Sequence, residues 1–229
     1  MSRSFTLADP ASLDDLQVFL SRAQRVEDGS VRLIGGSGVL AVYAAVLYPV
    51  GLLDEVPTVL GLRTLALTSR EEFDAIVPIR SLLVRVERAQ QLAVEAIAAG
   101  RDESVAVGLP MEVHTATWAA ISPPRGGWRA VPPMEASVLD TVAKSGIAEI
   151  AEAVPDAVGE SIVRRVRAEV WGREVPGFEH IPAGAAFAAL SLGFLGDDQV
   201  KVYESGPWTR LTTSRGHTLV KRRAWTLSR

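Results

Sequence analysis

The spacing of apolar positions changes several times along the chain, and each change marks an expected element. Leu13, Leu16, Phe19 and Leu20 recur at intervals of three and four, which predicts a helix with one buried face. Ser12 is its expected cap, and Asp14 and Asp15 sit in the first turn, where the helix dipole favours anions. "EDGS" at 27–30 should end it. Val31–Ile34 and Val39–Tyr48 are apolar runs around a glycine-rich break. "TVLGLRTLALTS" at 58–69 reads as a strand, and "SREEFDAIV" as a short helix stopped by Pro78. Ile79, Leu82, Leu83, Val86, Ala89, Ala93 and Ile97 form one apolar stripe, so 79–99 is expected to be a long packing helix closed by Gly100. "MEVHTATWAAIS" at 111–122 reads as a strand and "PPRGGWRAVPP" as a loop. Helices are expected over 135–153 and 156–171. A loop at 173–184 and a short apolar helix ending near Gly196 follow. The tail predicts three strands with turns at "ESGP" and "TSRG".

The sum is an α+β fold. It has a mixed or antiparallel sheet, a β-hairpin at 31–48, the 79–99 helix, a helical segment over 135–195 and a C-terminal β-meander. One compact domain over 1–229 is expected, with any subdivision near 100–110 and 173–183.

Leu33–Leu53 carries no charge, and three readings compete for it. A membrane span needs about 20 apolar residues, but Gly35, Gly36, Ser37, Gly38, Pro49 and Gly51 fill its ends. A dinucleotide loop would use "GSGVLA" at 36–41 before a helix. That reading needs an acid at the end of the second strand, where Thr68-Ser69-Arg70 stands instead. The hairpin reading accounts for more. Four small residues allow a tight turn, and Val39–Tyr48 suits a strand buried on both faces.

Composition removes several chemistries. The 229 residues include no cysteine, so thiolate metal sites, disulfides and cysteine nucleophiles are excluded. His114, His180 and His217 lack metal-ligand spacing, and neither metal nor cofactor is expected. The N-terminus has no apolar run of a secretory signal and carries Asp9, Asp14 and Asp15, which points to a cytoplasmic protein. Net charge is −3, yet residues 200–229 carry seven Lys/Arg and one acid, Glu204.

Two places could host chemistry. In "ISPPRGGWRAVPP", Arg125 and Trp128 could grip a planar anion, with Glu112 and His114 of the preceding strand as a tuned base. In the tail, Trp208, Arg210, Arg215, Lys221, Arg222 and Arg223 suit single-stranded nucleic acid, but no recognised binding signature accompanies them.

The stretches "VLAVYAAVLYPVGLLDEVPTVLGLRTLAL", "WAAISPPRGGW", "VWGREVPG", "IPAGAAFAALSLGFLG" and "GPWTRLTTSRGHTLVKR" resemble a family of actinobacterial proteins of unknown function, over nearly the whole chain. The resemblance implies no activity and no site residues. The leading expectation is a cytoplasmic, non-catalytic binding or interaction protein, with self-association as a fitting partner mode and nucleic acid disfavoured. Two alternatives stand beside it: a small-anion or metabolite site in the 122–129 loop, and nucleic-acid binding through the tail.

Overall fold

The computed structural model describes residues 3–50, 54, 56–100, 104–154 and 159–222. Their contacts divide into two units: residues 1–44 with 62–120, and residues 45–61 with 121–229.

The first unit begins with β1 (Ser4–Thr6) and α1 (Ala11–Val26). Asp9 serves the start of α1: its Oδ1 accepts from the Ala11 N–H at 2.9 Å. Ser12 is already inside the helix. Asp14 and Asp15 instead reach outward, to Gln90 and Arg63. β2 (Ser30–Gly36) and β3 (Val39–Leu47) follow as an antiparallel hairpin pairing Gly36 with Val39. Ser37 and Gly38 form its two-residue turn, with φ of 53° and 81°. Positive φ at both positions matches the right-handed twist of the flanking strands. Leu33–Leu47 is therefore neither a membrane segment nor a phosphate loop. Burial alternates along β2 and the first half of β3, so those strands bury one face rather than two.

β4 (Thr58–Ala66) and β5 (Phe73–Pro78) come next. The strand order in this unit is β5-β2-β3-β4, and β5 runs antiparallel to β2. The expected helix after Ser69 is thus a strand. Ala75 and Val77 alternate inward against β2, and ladder pairing outweighs the helix-forming Glu71-Glu72 start. α2 (Ile79–Ala98) carries the predicted stripe with one change. Ala96 closes the buried face, while Ile97 is 55% exposed. Gly100, at φ 66°, follows the helix end. β6 (Ala106–Gly108) pairs with β1. Residues 111–121 form no strand. They run irregularly into a single 3-10 turn, Thr117–Ala120, which buries Trp118 and Ala119.

In the second unit β7 (Arg129–Met134) lies at one end of the sheet. Pro132 and Pro133 are tolerated because β7 is an edge strand. α3 (Ala136–Ala153) and α4 (Glu160–Gly172) match their predicted spans closely; Val158, assigned to α4 from the sequence, lies outside the described residues. The expected loop at 173–184 instead contains a small hairpin. β8 (Glu174–Val175) and β9 (Phe178–Pro182) turn through Gly177 at φ 79°. α5 (Ala183–Ser191) packs against α3 and α4. β10 (Val200–Ser205), β11 (Trp208–Thr213) and β12 (Gly216–Lys221) form the antiparallel meander expected from the turn residues.

Both units carry a carboxylate tuned by its fold. The Arg80 guanidinium holds the Asp28 carboxyl below its usual 3.8. The Ser214 N–H, donating at 3.0 Å, does the same for Asp198. A carboxyl whose value is lower in the folded chain stabilises the fold above its unfolded value. That contribution fades as pH falls through the folded value. Urea midpoints are therefore expected to be level above about pH 5 and to drop below it as these carboxylates protonate. Arg80→Gln should flatten the Asp28 part of that drop; an identical pH profile in the variant would contradict the assignment.

Candidate nucleic-acid interface

The meander derives its chemistry from register. The turn at Gly206-Pro207 sets Ser205 opposite Trp208, and so Tyr203 opposite Arg210 and Lys201 opposite Thr212. The next turn sets Arg210 opposite Leu219, Thr212 opposite His217 and Trp208 opposite Lys221. Side chains alternate along strands. One face therefore collects Lys201, Tyr203, Ser205, Trp208, Arg210, Thr212, His217, Leu219 and Lys221, with no carboxylate among them. The other face carries Val202, Leu211, Thr218 and Gly216, and Gly216 abuts the Phe194 ring.

The segment 122–128 lies along the first face. The Ser205 hydroxyl donates to the Gly126 carbonyl at 3.4 Å. Trp128 is fixed by its own loop, its Nε1 donating to the Pro124 carbonyl at 3.1 Å. The Trp128 ring covers Arg210 with the guanidinium carbon 4.6 Å from its centroid, and Tyr203 flanks it at 4.7 Å. Each ring quadrupole attracts the cation. Among the described residues no carboxylate pairs with Arg210, and its Nε is buried without a hydrogen-bond partner. Burial pushes its pKa down from the usual arginine value, while nearby Tyr203 opposes that shift.

Beside this cation, Glu204 binds two arginines. Arg129 Nη2 donates to its Oε2 at 3.0 Å, and Arg222 Nη1 lies 3.9 Å from its Oε1. Arg222 also donates through Nη2 to the Gly206 carbonyl at 2.9 Å. His217 Nδ1 and the Thr212 hydroxyl share a hydrogen bond at 3.0 Å.

The residues expected from sequence fall out differently. Trp128 does stack on an arginine, but the arginine is Arg210. Arg125 is exposed on the same loop. Glu112 pairs with Arg3 at 3.3 Å, and His114 is exposed, both in the irregular segment of the first unit. The strand alternation that would place those two on one face is absent. Trp208 is 4% exposed, a core residue rather than a stacking platform. Arg215 is exposed and donates to the Leu195 carbonyl at 3.1 Å. Lys221 is half-buried, and Arg223 lies outside the described residues. His217 belongs to the basic tail that the sequence points to, whereas Tyr203 and Lys201 carry no such signal. The two-residue turn at Gly206-Pro207 was the signal that could have paired Tyr203 with Arg210.

Among the described residues no cluster of three or more His, Asp or Glu is placed to hold a metal ion. None of the described helices is long and apolar enough to cross a membrane.

The fold is similar to that of DNA polymerase III subunit beta. DNA polymerase III subunit beta from Borrelia burgdorferi, solved with a natural product, superposes with a TM-score of 0.51 at 7% identity, over 95% of this chain and 64% of that one. A sliding clamp from Bartonella birtlesii bound to griselimycin gives 0.49 at 13% identity, over 99% and 67%. Caulobacter crescentus pol III beta gives 0.48 at 10% identity, over 99% and 67%. The chain thus spans 64% of the length of the Borrelia protein. It belongs to the family described as Domain of unknown function (DUF8010), which matches residues 1–117. A second family, Domain of unknown function (DUF8185), matches residues 123–225. No curated protein matches the sequence.

The fold corrects two expectations. The sequence led to a general interaction protein and set nucleic acid aside, because no local binding signature is present. Sharing a fold with a subunit of DNA polymerase III overturns both. That likeness lies in the tertiary arrangement, which at 7% identity leaves no local motif to read.

Proposed function

We propose that this chain is a clamp-like protein that contacts nucleic acid through its C-terminal meander. The observation that carries this reading is the segregation of charge. Over the five helices acidic and basic residues are equal in number, whereas residues 200–222 hold five Lys/Arg against Glu204 alone. The overall charge of −3 hides that contrast. Glu204 lies on the opposite side of the meander from Lys201, Arg210 and Lys221, so their face carries cations and no carboxylate. Such a face neutralises phosphates and releases their counterions, giving affinity with little sequence preference. The likeness to DNA polymerase III subunit beta supports the reading at the level of fold.

The experiment is DNA binding by fluorescence anisotropy across a salt series, with single- and double-stranded probes. Log affinity should fall linearly with log salt. Replacing Lys201 and Lys221 together by Gln should reduce the slope by roughly 1.4–1.8, at about 0.7–0.9 per phosphate contact. Lys144→Gln on α3 should leave it unchanged. Absence of binding at low salt, or equal slopes for the Lys201/Lys221 variant and the parent, would overturn the proposal.

A further inference from the structure

We infer that the Trp128–Arg210–Tyr203 sandwich is a binding site for a phosphate group, held by the guanidinium fork of Arg210. The inference goes beyond the preceding proposal and stands without it, since a free phosphate ester and a nucleic-acid backbone present the same oxygens.

The geometry has three parts. First, two rings at 4.6 and 4.7 Å fix the guanidinium before any ligand arrives. Most of the side-chain entropy normally lost on binding is already gone. Second, no carboxylate among the described residues pairs with the cation. A part-buried structural arginine ordinarily meets a carboxylate, as Arg32, 16% exposed, meets Asp74 in this chain. Arg210 has no such partner among the described residues, and its Nε lacks any hydrogen bond. An unmade hydrogen bond from a charged group is costly, and an oxyanion at the fork would relieve that cost. Third, the neighbours suit more than one negative charge. Lys201, Thr212 and His217 form the adjacent cross-strand row, and Lys221 lies on the same face. A dianion gains more from these than a carboxylate does, and the arginine fork matches its oxygens bidentately.

The test uses the full chain labelled with 15N and follows the arginine Nε–H resonances. The Arg210 signal is assigned by its loss in Arg210→Lys. Inorganic phosphate at millimolar concentration should shift that signal, and acetate at the same concentration should shift it far less. Arg210→Lys keeps the charge and loses the planar fork, so calorimetric phosphate affinity should fall at least tenfold. If Arg210→Lys does not fold, Trp128→Leu, which keeps the fork but removes one ring, supplies the comparison and the assignment. An Arg210 signal unmoved by phosphate, or moved equally by acetate, would falsify the assignment.

A second arm adds a short single-stranded oligonucleotide. Oligonucleotide binding that leaves the Arg210 signal in place, when phosphate does not move it either, overturns this site and spares the meander reading. Phosphate binding at Arg210 without oligonucleotide binding overturns the meander reading and supports a free phosphate ester as the ligand.

Discussion

Trp171→Ala is expected to lower the unfolding free energy by about 3–5 kcal/mol, the range for removing a large aromatic from a packed core. Trp171 is 2% exposed and joins all three helices of the second unit. Its ring stacks on Phe187 of α5, with centroids 4.5 Å apart and planes 17° from parallel. On the α3 side the ring lies over Gly146, where an added Cβ would sit 2.3 Å from Cζ3. Next to it, Gly184 approaches the Trp171 backbone so closely that a Cβ there would lie 3.1 Å from the carbonyl oxygen. The indole thus fills the space that a side chain at Gly146 would occupy. Gly146→Leu should also destabilise, by about 1–3 kcal/mol, because the new side chain must displace the ring. In the Trp171→Ala background the same leucine enters the vacated space. The double variant should therefore be more stable than the sum of the singles requires. Urea unfolding of the four proteins measures this coupling, and strict additivity would show that Gly146 and Trp171 do not share one packing site.

Much of this architecture is legible in short-range pattern. The Gly-Ser-Gly stretch at 36–38 encodes a positive-φ turn, and the hairpin follows. The stripe from Ile79 to Ala93 encodes α2, and "ESGP" and "TSRG" encode the meander. What sequence hides is whatever depends on partners distant along the chain. Residues 73–78 are a strand because β2 supplies the ladder 42 residues away, as in the pairing of Leu33 with Ala75. Residues 111–121 have strand-like composition but form no ladder beyond the Val113 N–H donating to the Ile76 carbonyl at 2.8 Å, so Glu112 and His114 lose the common face that alternation promised. At the candidate site Trp128 and Arg210 are each visible as residues, yet they meet only because β7 pairs with β10. The likeness in fold to DNA polymerase III subunit beta is the extreme case, since at 7% identity no local signature carries it.

The first unit has its own long-range tie, and Arg32→Met is expected to cost about 2–3 kcal/mol. The Arg32 side chain is 16% exposed and Asp74 is 50% exposed. The fork is bidentate: Nε donates to Asp74 Oδ1 at 2.8 Å and Nη2 to Oδ2 at 2.6 Å. Register explains the reach, because Ile34 opposes Asp74 and Arg32 lies two residues back on the same face. The remaining nitrogen, Nη1, donates to the Ala119 carbonyl at 2.7 Å and ties the 3-10 turn, with buried Trp118, to the sheet. The Asp74 hydrogen bonds raise the Arg32 pKa above its ordinary value, so the cation persists at any accessible pH. Fully buried pairs cost about 3–5 kcal/mol to break, and solvent around Asp74 reduces that figure. Methionine preserves the volume of the stem but removes the donors that Arg32 gives to Asp74 and the Ala119 carbonyl. Arg32→Lys should recover less than half of the loss, since an ammonium cannot serve three acceptors at the angles of the fork. Asp74→Asn should cost less than Arg32→Met, because it leaves the bond to Ala119 intact. If the geometry is right, urea midpoints rank parent, Asp74→Asn, Arg32→Lys, Arg32→Met from highest to lowest, and Arg32→Met alone exposes Trp118 to a fluorescence quencher. Equal midpoints for Arg32→Met and Asp74→Asn would mean that the tie to Ala119 contributes nothing.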